Sequence, residues 1–206
     1  MQLLDSDYGA DRFLTSVGLA SIWAVLLVHG PTPVNHYCRL LSRAALMPHL
    51  LAALAAMVAA ARAAAADATG RMAAVRAHLE SATDLVVVLS HSDAVVKAAV
   101  AHPDTFRKLL ALLEELPAPL LQKALQAVRS LTEDPQAVRQ IQEARGVPAL
   151  VDLLRRRASR SGVALSAEMQ LPLVEVCTPR HAVTTHRIFR ACVSVRPRLV
   201  GPRAPR

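Results

Sequence analysis

The stretch PQAVRQIQEARGVPALVDLL, residues 135–154, decides the fold. It follows Glu133-Asp134, and Asp134 is an N-cap type of residue placed directly before a proline that suits a first helical turn. The chain breaks again at Arg145-Gly146-Val147-Pro148, and Val147, Leu150, Val151 and Leu154 then recur at i, i+3, i+4 and i+7. That spacing is one apolar face of an α-helix. Two other stretches carry the same pattern: NHYCRLLSRAALMPHLLAAL at 35–54 and DAVVKAAVAHPDTFRKLLALL at 93–113. Met47, Phe106 and Val147 share one position, and Leu50, Leu109 and Leu150 the next. Leu51, Leu110 and Val151 follow, then Leu54, Leu113 and Leu154.

Outward from these faces, each is preceded by another apolar helix, predicted at Arg12–His29, Met72–Ser90 and Leu120–Thr132. The breaks between them hold Gly30-Pro31-Thr32-Pro33, Ser90-His91-Ser92-Asp93 and Glu133-Asp134-Pro135, in which Asp and Ser can cap the helix that follows and Pro fits its first turn. Each unit therefore reads helix, turn, short helix, turn, helix. Phe106 and Val147 lie 41 residues apart, inside the roughly 40–47 residues of armadillo and HEAT units. Met47 and Phe106 lie 59 apart, the excess sitting in the Ala-rich run 52–70, read as a lengthened helix end and an inserted loop. Such a unit cannot bury both helix faces alone, and stacking on its neighbours does so. The expectation is an all-α, armadillo/HEAT-like right-handed helical solenoid of about three to four repeats over residues 1–177. A fourth unit starts at Ser166-Ala167-Glu168 and the pattern is lost after Cys177.

Composition agrees. Apolar residues make up 53% and aromatics 3%, a Leu, Ala and Val mixture that favours aliphatic helix packing over a β-sandwich. The net charge of +8 is uneven: residues 178–206 hold seven arginines and no Asp or Glu, while the other 177 residues hold 17 basic and 16 acidic side chains. The basicity thus belongs to an Arg/Pro-rich tail, expected to be disordered and able to bind nucleic acid only without sequence specificity. Cys38, Cys177 and Cys192 are odd in number and far apart, which implies no disulfide framework and fits a reducing compartment. Asp5, Asp7 and Asp11 replace the basic start of a signal peptide. The uncharged run 13–28 is shorter than the roughly 20 residues of a membrane span and is read as a core helix.

No catalytic residue is assigned. The Gly-rich loop, strand Lys, His-Arg-Asp and Asp-Phe-Gly of a kinase do not occur, and His186-Arg187-Ile188 lacks the aspartate. Cys177, His181, His186 and Cys192 have no usual zinc spacing, so no metal or other cofactor is expected. Arg155-Arg156-Arg157-Ala158-Ser159 has the form of a basophilic kinase target, but arginines at a helix C-terminus also complement the dipole. The polar positions of the face helices, His49, Arg107, Lys108, Asp152, Arg155 and Arg156, are the candidate partner-binding face. They suit an acidic or mixed-charge protein segment as well as they suit plain solvent.

Trp23, then Thr32-Pro33-x-Asn35-x-Tyr37-Cys38-Arg39, then Pro119-Leu120-Leu121-x-Lys123, Leu131-Thr132-x-Asp134-Pro135 and Gly146-Val147-x-x-Leu150 form a recognisable series. It resembles the C-terminal helical repeats of the epsilon class of plant mitogen-activated protein kinase kinase kinases and of the fungal septation-initiation kinases, over about residues 3–177. In that family a kinase domain precedes the repeats; here no kinase domain is present. The resemblance implies a cytoplasmic, non-catalytic scaffold in cell-division or kinase signalling, with a small Ras-like GTPase or a signalling kinase as partner. Its alternative is the regulatory fragment of a serine/threonine kinase whose catalytic domain lies outside this chain.

Overall fold

The structure, a computed structural model, describes residues 4, 8, 11–27, 36–64 and 71–161, the side chains of 64, 71, 154 and 157–161 excepted. The described residues form nine α-helices and no strand: α1 (Arg12–Leu27), α2 (His36–Arg43), α3 (Leu46–Ala64), α4 (Arg71–Ser90), α5 (Ala94–Ala101), α6 (Pro103–Leu113), α7 (Ala118–Leu131), α8 (Pro135–Glu143) and α9 (Gly146–Ser161). The order long, short, long thus occurs three times, as the spacing of apolar faces predicts. The fourth unit, the Arg/Pro-rich tail, the Cys177/His181/His186/Cys192 series, the Thr32-Pro33 run and the side chain of Ser159 lie outside the described residues.

Local chemistry explains the boundaries. Asp93 accepts hydrogen bonds from the amides of Val95 and Val96 at 3.0 and 3.1 Å, and Asp134 from that of Ala137 at 2.8 Å. These carboxylates satisfy orphan donors at the starts of α5 and α8. Between short helix and face helix, Ala45 and Arg145 stand at φ 56° and 55°, the left-handed region. They occupy the same point of the first and third units. In the second unit the turn is made differently: His102 is extended, at φ −47° and ψ 133°, because Pro103 follows it. Proline does there what a left-handed residue, costing about 1–2 kcal/mol, does in the other two.

The helices pack with a period of three. α4 lies against α1 and α7, α5 against α2 and α8, and α6 against α3 and α9. Each helix therefore meets its equivalent in the next unit, and α3 also packs closely on α4. One continuous core results, containing Met47, Leu50, Leu51, Leu54, Phe106, Leu109, Leu110, Leu113 and Leu150. The expected face is buried throughout α3 and α6. On α9 it is only half as deep: Val147 and Val151 are intermediate. Among the described residues α9 packs mainly on α6 and α8, and the expectation of a fully buried face on α9 is corrected to that extent.

By length and composition α3 could cross a membrane over Leu46–Ala63. Its large side chains, Leu46, Leu50, Leu51, Met57 and Val58, are instead buried in the core, while Ala52, Ala55 and Ala59 face outward. A spanning helix would present its bulk to lipid; α3 is a core helix. The run 13–28 behaves in part likewise, as α1 over its described residues, with Leu19 and Leu26 buried but Phe13 and Leu27 exposed.

Candidate interaction surfaces and inter-unit contacts

The candidate face residues all fall on the α3–α6–α9 row. His49 lies in the first turn of α3 and is half-buried; Arg107 and Lys108 lie in the first half of α6 and are exposed. Asp152, Arg155 and Arg156 are exposed and lie further along α9. By the shared register Lys108 matches His49 and Ala149, so Arg156 stands seven residues beyond that level, about 10 Å at 1.5 Å per residue. The six residues thus divide into two groups along the row and do not converge on one point.

Most of their charge is already engaged. Arg107 donates to Asp104 at 2.9 Å and Arg155 pairs with Asp152 at 3.6 Å, each one turn away on its own helix. Arg156 reaches across to Glu114 at the end of α6, and Arg62 of α3 reaches Glu115 at 3.5 Å. These exposed pairs contribute little energy individually. They show, however, that the C-terminal ends of α3, α6 and α9 are linked by alternating charge, a role for Arg156 that periodicity does not reveal.

The short-helix row carries a stronger device. Arg39, the fourth residue of α2, pairs with Asp93, which caps α5. Lys97, the fourth residue of α5, donates to Glu133 at 2.9 Å and to the Ser130 carbonyl at 2.9 Å. Glu133 immediately precedes Asp134, the cap of α8. Each short helix therefore grips the acidic start of the next. The fourth residue of α8 is Val138, and the series stops there. Lys97 is only 9% exposed, so its two acceptors offset the desolvation of its ammonium. Ser130, itself buried, donates on to the Ser90 carbonyl at 2.9 Å, which closes the network without an orphan.

Electrostatics follow this geometry. Partial burial alone would raise the Asp93 carboxyl, but the Arg39 guanidinium and the amides of Val96 and Val95 hold it below its ordinary value. The Lys97 ammonium, outweighing partial burial, lowers Glu133. Both carboxylates bind protons more weakly folded than unfolded. Their stabilisation is fully present above the ordinary carboxylate range and is lost as pH falls through the lower folded values. Asp93→Ala should cost about 1 kcal/mol as a lost cap, and thermal melts should show that penalty shrinking as pH falls towards 3. A penalty independent of pH over that range would mean the charge of Asp93 contributes nothing.

The α1–α4–α7 row holds three more polar ties. Trp23 donates to Ser81 at 2.8 Å, Lys123 pairs with Asp84 at 2.8 Å, and the Tyr8 hydroxyl meets His78 Nδ1 at 2.7 Å. Burial, helped by Arg12, keeps His78 below its ordinary value. Trp23, Arg39 and Lys123 belong to the motif series noted in the sequence. Lys97 and Glu133 do not, and their only sequence signal is the recurrence of a basic residue at the fourth place of a short helix.

Comparison with known proteins adds relatives of low identity. The chain is 26% identical over 161 residues to cytokinesis protein sepH of Emericella nidulans, covering 78% of this chain and 11% of that protein. It is 25% identical over 161 residues to sepH of Aspergillus niger, with the same coverage. It is 26% identical over 151 residues to cell division control protein 7 of Schizosaccharomyces pombe, covering 73% of this chain and 13% of that protein. The chain therefore spans between 11% and 13% of the length of these relatives. No protein-family model and no solved structure matches it.

Proposed function

We propose that this chain is a non-catalytic, cytoplasmic interaction module, an armadillo/HEAT-type solenoid acting in cell-division signalling. The observation that carries the reading is the packing of every helix type on its own equivalent with a period of three. That is the arrangement of a stacked repeat, in which each unit contacts its neighbours and an extended surface is left for partners. The likeness to proteins named for cytokinesis and cell division supports the pathway. The recognition element is the exposed charge of α6 and α9, and its partner is a folded protein, a small Ras-like GTPase or a signalling kinase. A second reading is the regulatory region of a serine/threonine kinase whose catalytic domain lies elsewhere; the much greater length of the relatives favours it.

The test is co-purification of the full chain with small Ras-like GTPases loaded with GTP or GDP. The combined variant Arg107→Glu, Lys108→Glu and Arg155→Glu should weaken capture at least tenfold while helicity by circular dichroism stays unchanged. Equal capture by parent and variant would remove this face from the proposal. Magnesium-ATP should leave the thermal midpoint unmoved, since a ligand that does not bind produces no linkage shift. A saturable shift would overturn the non-catalytic reading.

A further inference from the structure

Ser159 is the one Ser or Thr of this chain with Arg or Lys at both the second and the third place before it, here Arg157 and Arg156, and Arg155 precedes them. Arginine at those places is what an Arg-directed serine kinase reads, because carboxylates in its substrate groove take guanidinium groups in bidentate pairs. The helix that carries the run, α9, ends at Ser161, so residue 159 stands in its last turn. A last turn holds carbonyls without intrahelical partners and frays at little cost. The extended backbone that a kinase groove demands is therefore within reach there, as it is not in the middle of a helix.

The tertiary contacts add what the motif leaves out. Arg156, three residues before Ser159, is bonded to Glu114 at the end of α6. Arg155, four residues before it, pairs with Asp152 at 3.6 Å. Both arginine side chains are about half exposed, at 53% and 55%. A kinase can compete for them, since exposed ion pairs individually hold little. Residues three and four apart on a helix are neighbours, so a phosphate carried by residue 159 competes for the same two arginines. It also brings a charge of about −1.5 to −2 to a helix C-terminus, where the dipole disfavours it. Kinase and phosphate thus both draw Arg156 away from Glu114, and that contact ties the end of α9 to α6.

We infer that Ser159 is a phosphorylation site for an Arg-directed kinase, and that its phosphate takes Arg156 from Glu114 and frees the last turn of α9 from α6. In the transfer the Ser159 hydroxyl oxygen bonds to the γ-phosphorus of magnesium-ATP. The bond from that phosphorus to the β–γ bridging oxygen breaks, ADP leaves, and the hydroxyl proton passes through the kinase's base to water. The exchange takes place within the chain, independently of any partner of the α6–α9 face.

The probe is the catalytic subunit of cyclic-AMP-dependent protein kinase with magnesium-ATP, acting on the folded full chain. Tandem mass spectrometry should place a phosphate on Ser159, and Ser159→Ala should remove it. Arg156→Ala should slow the transfer by roughly tenfold or more, the worth of a hydrogen bond to a charged group. Both variants should keep the helicity of the parent by circular dichroism. Glu114→Gln should accelerate the transfer about two- to fivefold, the worth of an exposed ion pair, a change that a bare sequence motif would not show. Hydrogen exchange of the phosphorylated chain should quicken over residues 156–161 and stay as in the parent over α7. Phosphate on other residues only, incorporation only after thermal unfolding, or an equal rate in Glu114→Gln and the parent each overturns the inference. Unchanged exchange at the end of α9 does so as well.

Discussion

Leu109→Ala and Leu150→Ala each lower the stability of this protein by about 2–5 kcal/mol, the range for truncating a buried leucine. The two residues hold the same position on α6 and α9, and they are 2% and 0% exposed. α6 packs on both α3 and α9, and Leu109 belongs to the continuous core. The neighbouring large side chains, among them Leu50, Phe106 and Leu113, are also fully or nearly buried and have little room to collapse inward. Lost transfer energy and an unfilled cavity therefore add. Chemical denaturation followed by helix signal measures the effect, with Lys108→Ala, an exposed position, as the reference expected within about 0.5 kcal/mol of the parent. Costs at Leu109 and Leu150 no larger than that reference would mean the apolar faces have been placed on the wrong side of these helices.

Gly146→Ala should destabilise by about 1–3 kcal/mol, as overpacking does. The sign is informative, because alanine in an open helical position gains about 1 kcal/mol over glycine. Here an added Cβ would stand 2.6 Å from Phe106 Cε1, 2.8 Å from Ile141 Cγ2 and 3.0 Å from the Ile141 carbonyl oxygen. Phe106 is fully buried, so its ring has nowhere to swing, and the Ile141 carbonyl is backbone of α8. Gly146 is the point at which α9 meets both α8 and the preceding unit, and a side chain there pushes the third unit off the second. Gly146→Val should cost more than alanine. In a Phe106→Leu background the alanine penalty should fall, since the nearest obstructing atom is gone, and a double-mutant cycle reads that coupling directly. If Gly146→Ala raises the thermal midpoint instead, the close approach of α9 to α6 is not as described.

Which side of α3 and α6 turns inward is legible in the sequence. The i, i+3, i+4, i+7 recurrence of Leu50, Leu51 and Leu54, and of Leu109, Leu110 and Leu113, marks buried positions on both helices. Asp93 and Asp134 are readable as caps because a short acceptor before a helix has one thing to satisfy, the free amides of the first turn. The candidate face was less legible. His49, Arg107, Lys108, Asp152, Arg155 and Arg156 share a row of stacked helices but not one level along it, and Arg156 bonds to Glu114, 42 residues earlier. Lys97 reads from the sequence as an ordinary charged residue in a short alanine-rich helix, yet it is among the most buried charged groups described.

The sequence by itself determined the helices, their order of long, short and long, the apolar side of α3 and α6 and the acidic residues that start α5 and α8. These are properties of spacing along one chain, and periodicity of 3.6 residues reports them locally. The tertiary structure alone decided that Val147 and Val151 of α9 are only partly buried, that Arg39 and Lys97 reach the next unit, and that position 146 admits no side chain. Each of those depends on what stands across from a residue rather than beside it. A pattern of apolar positions states that a face must be covered, but only packing chooses the side chain that covers it and how closely it comes.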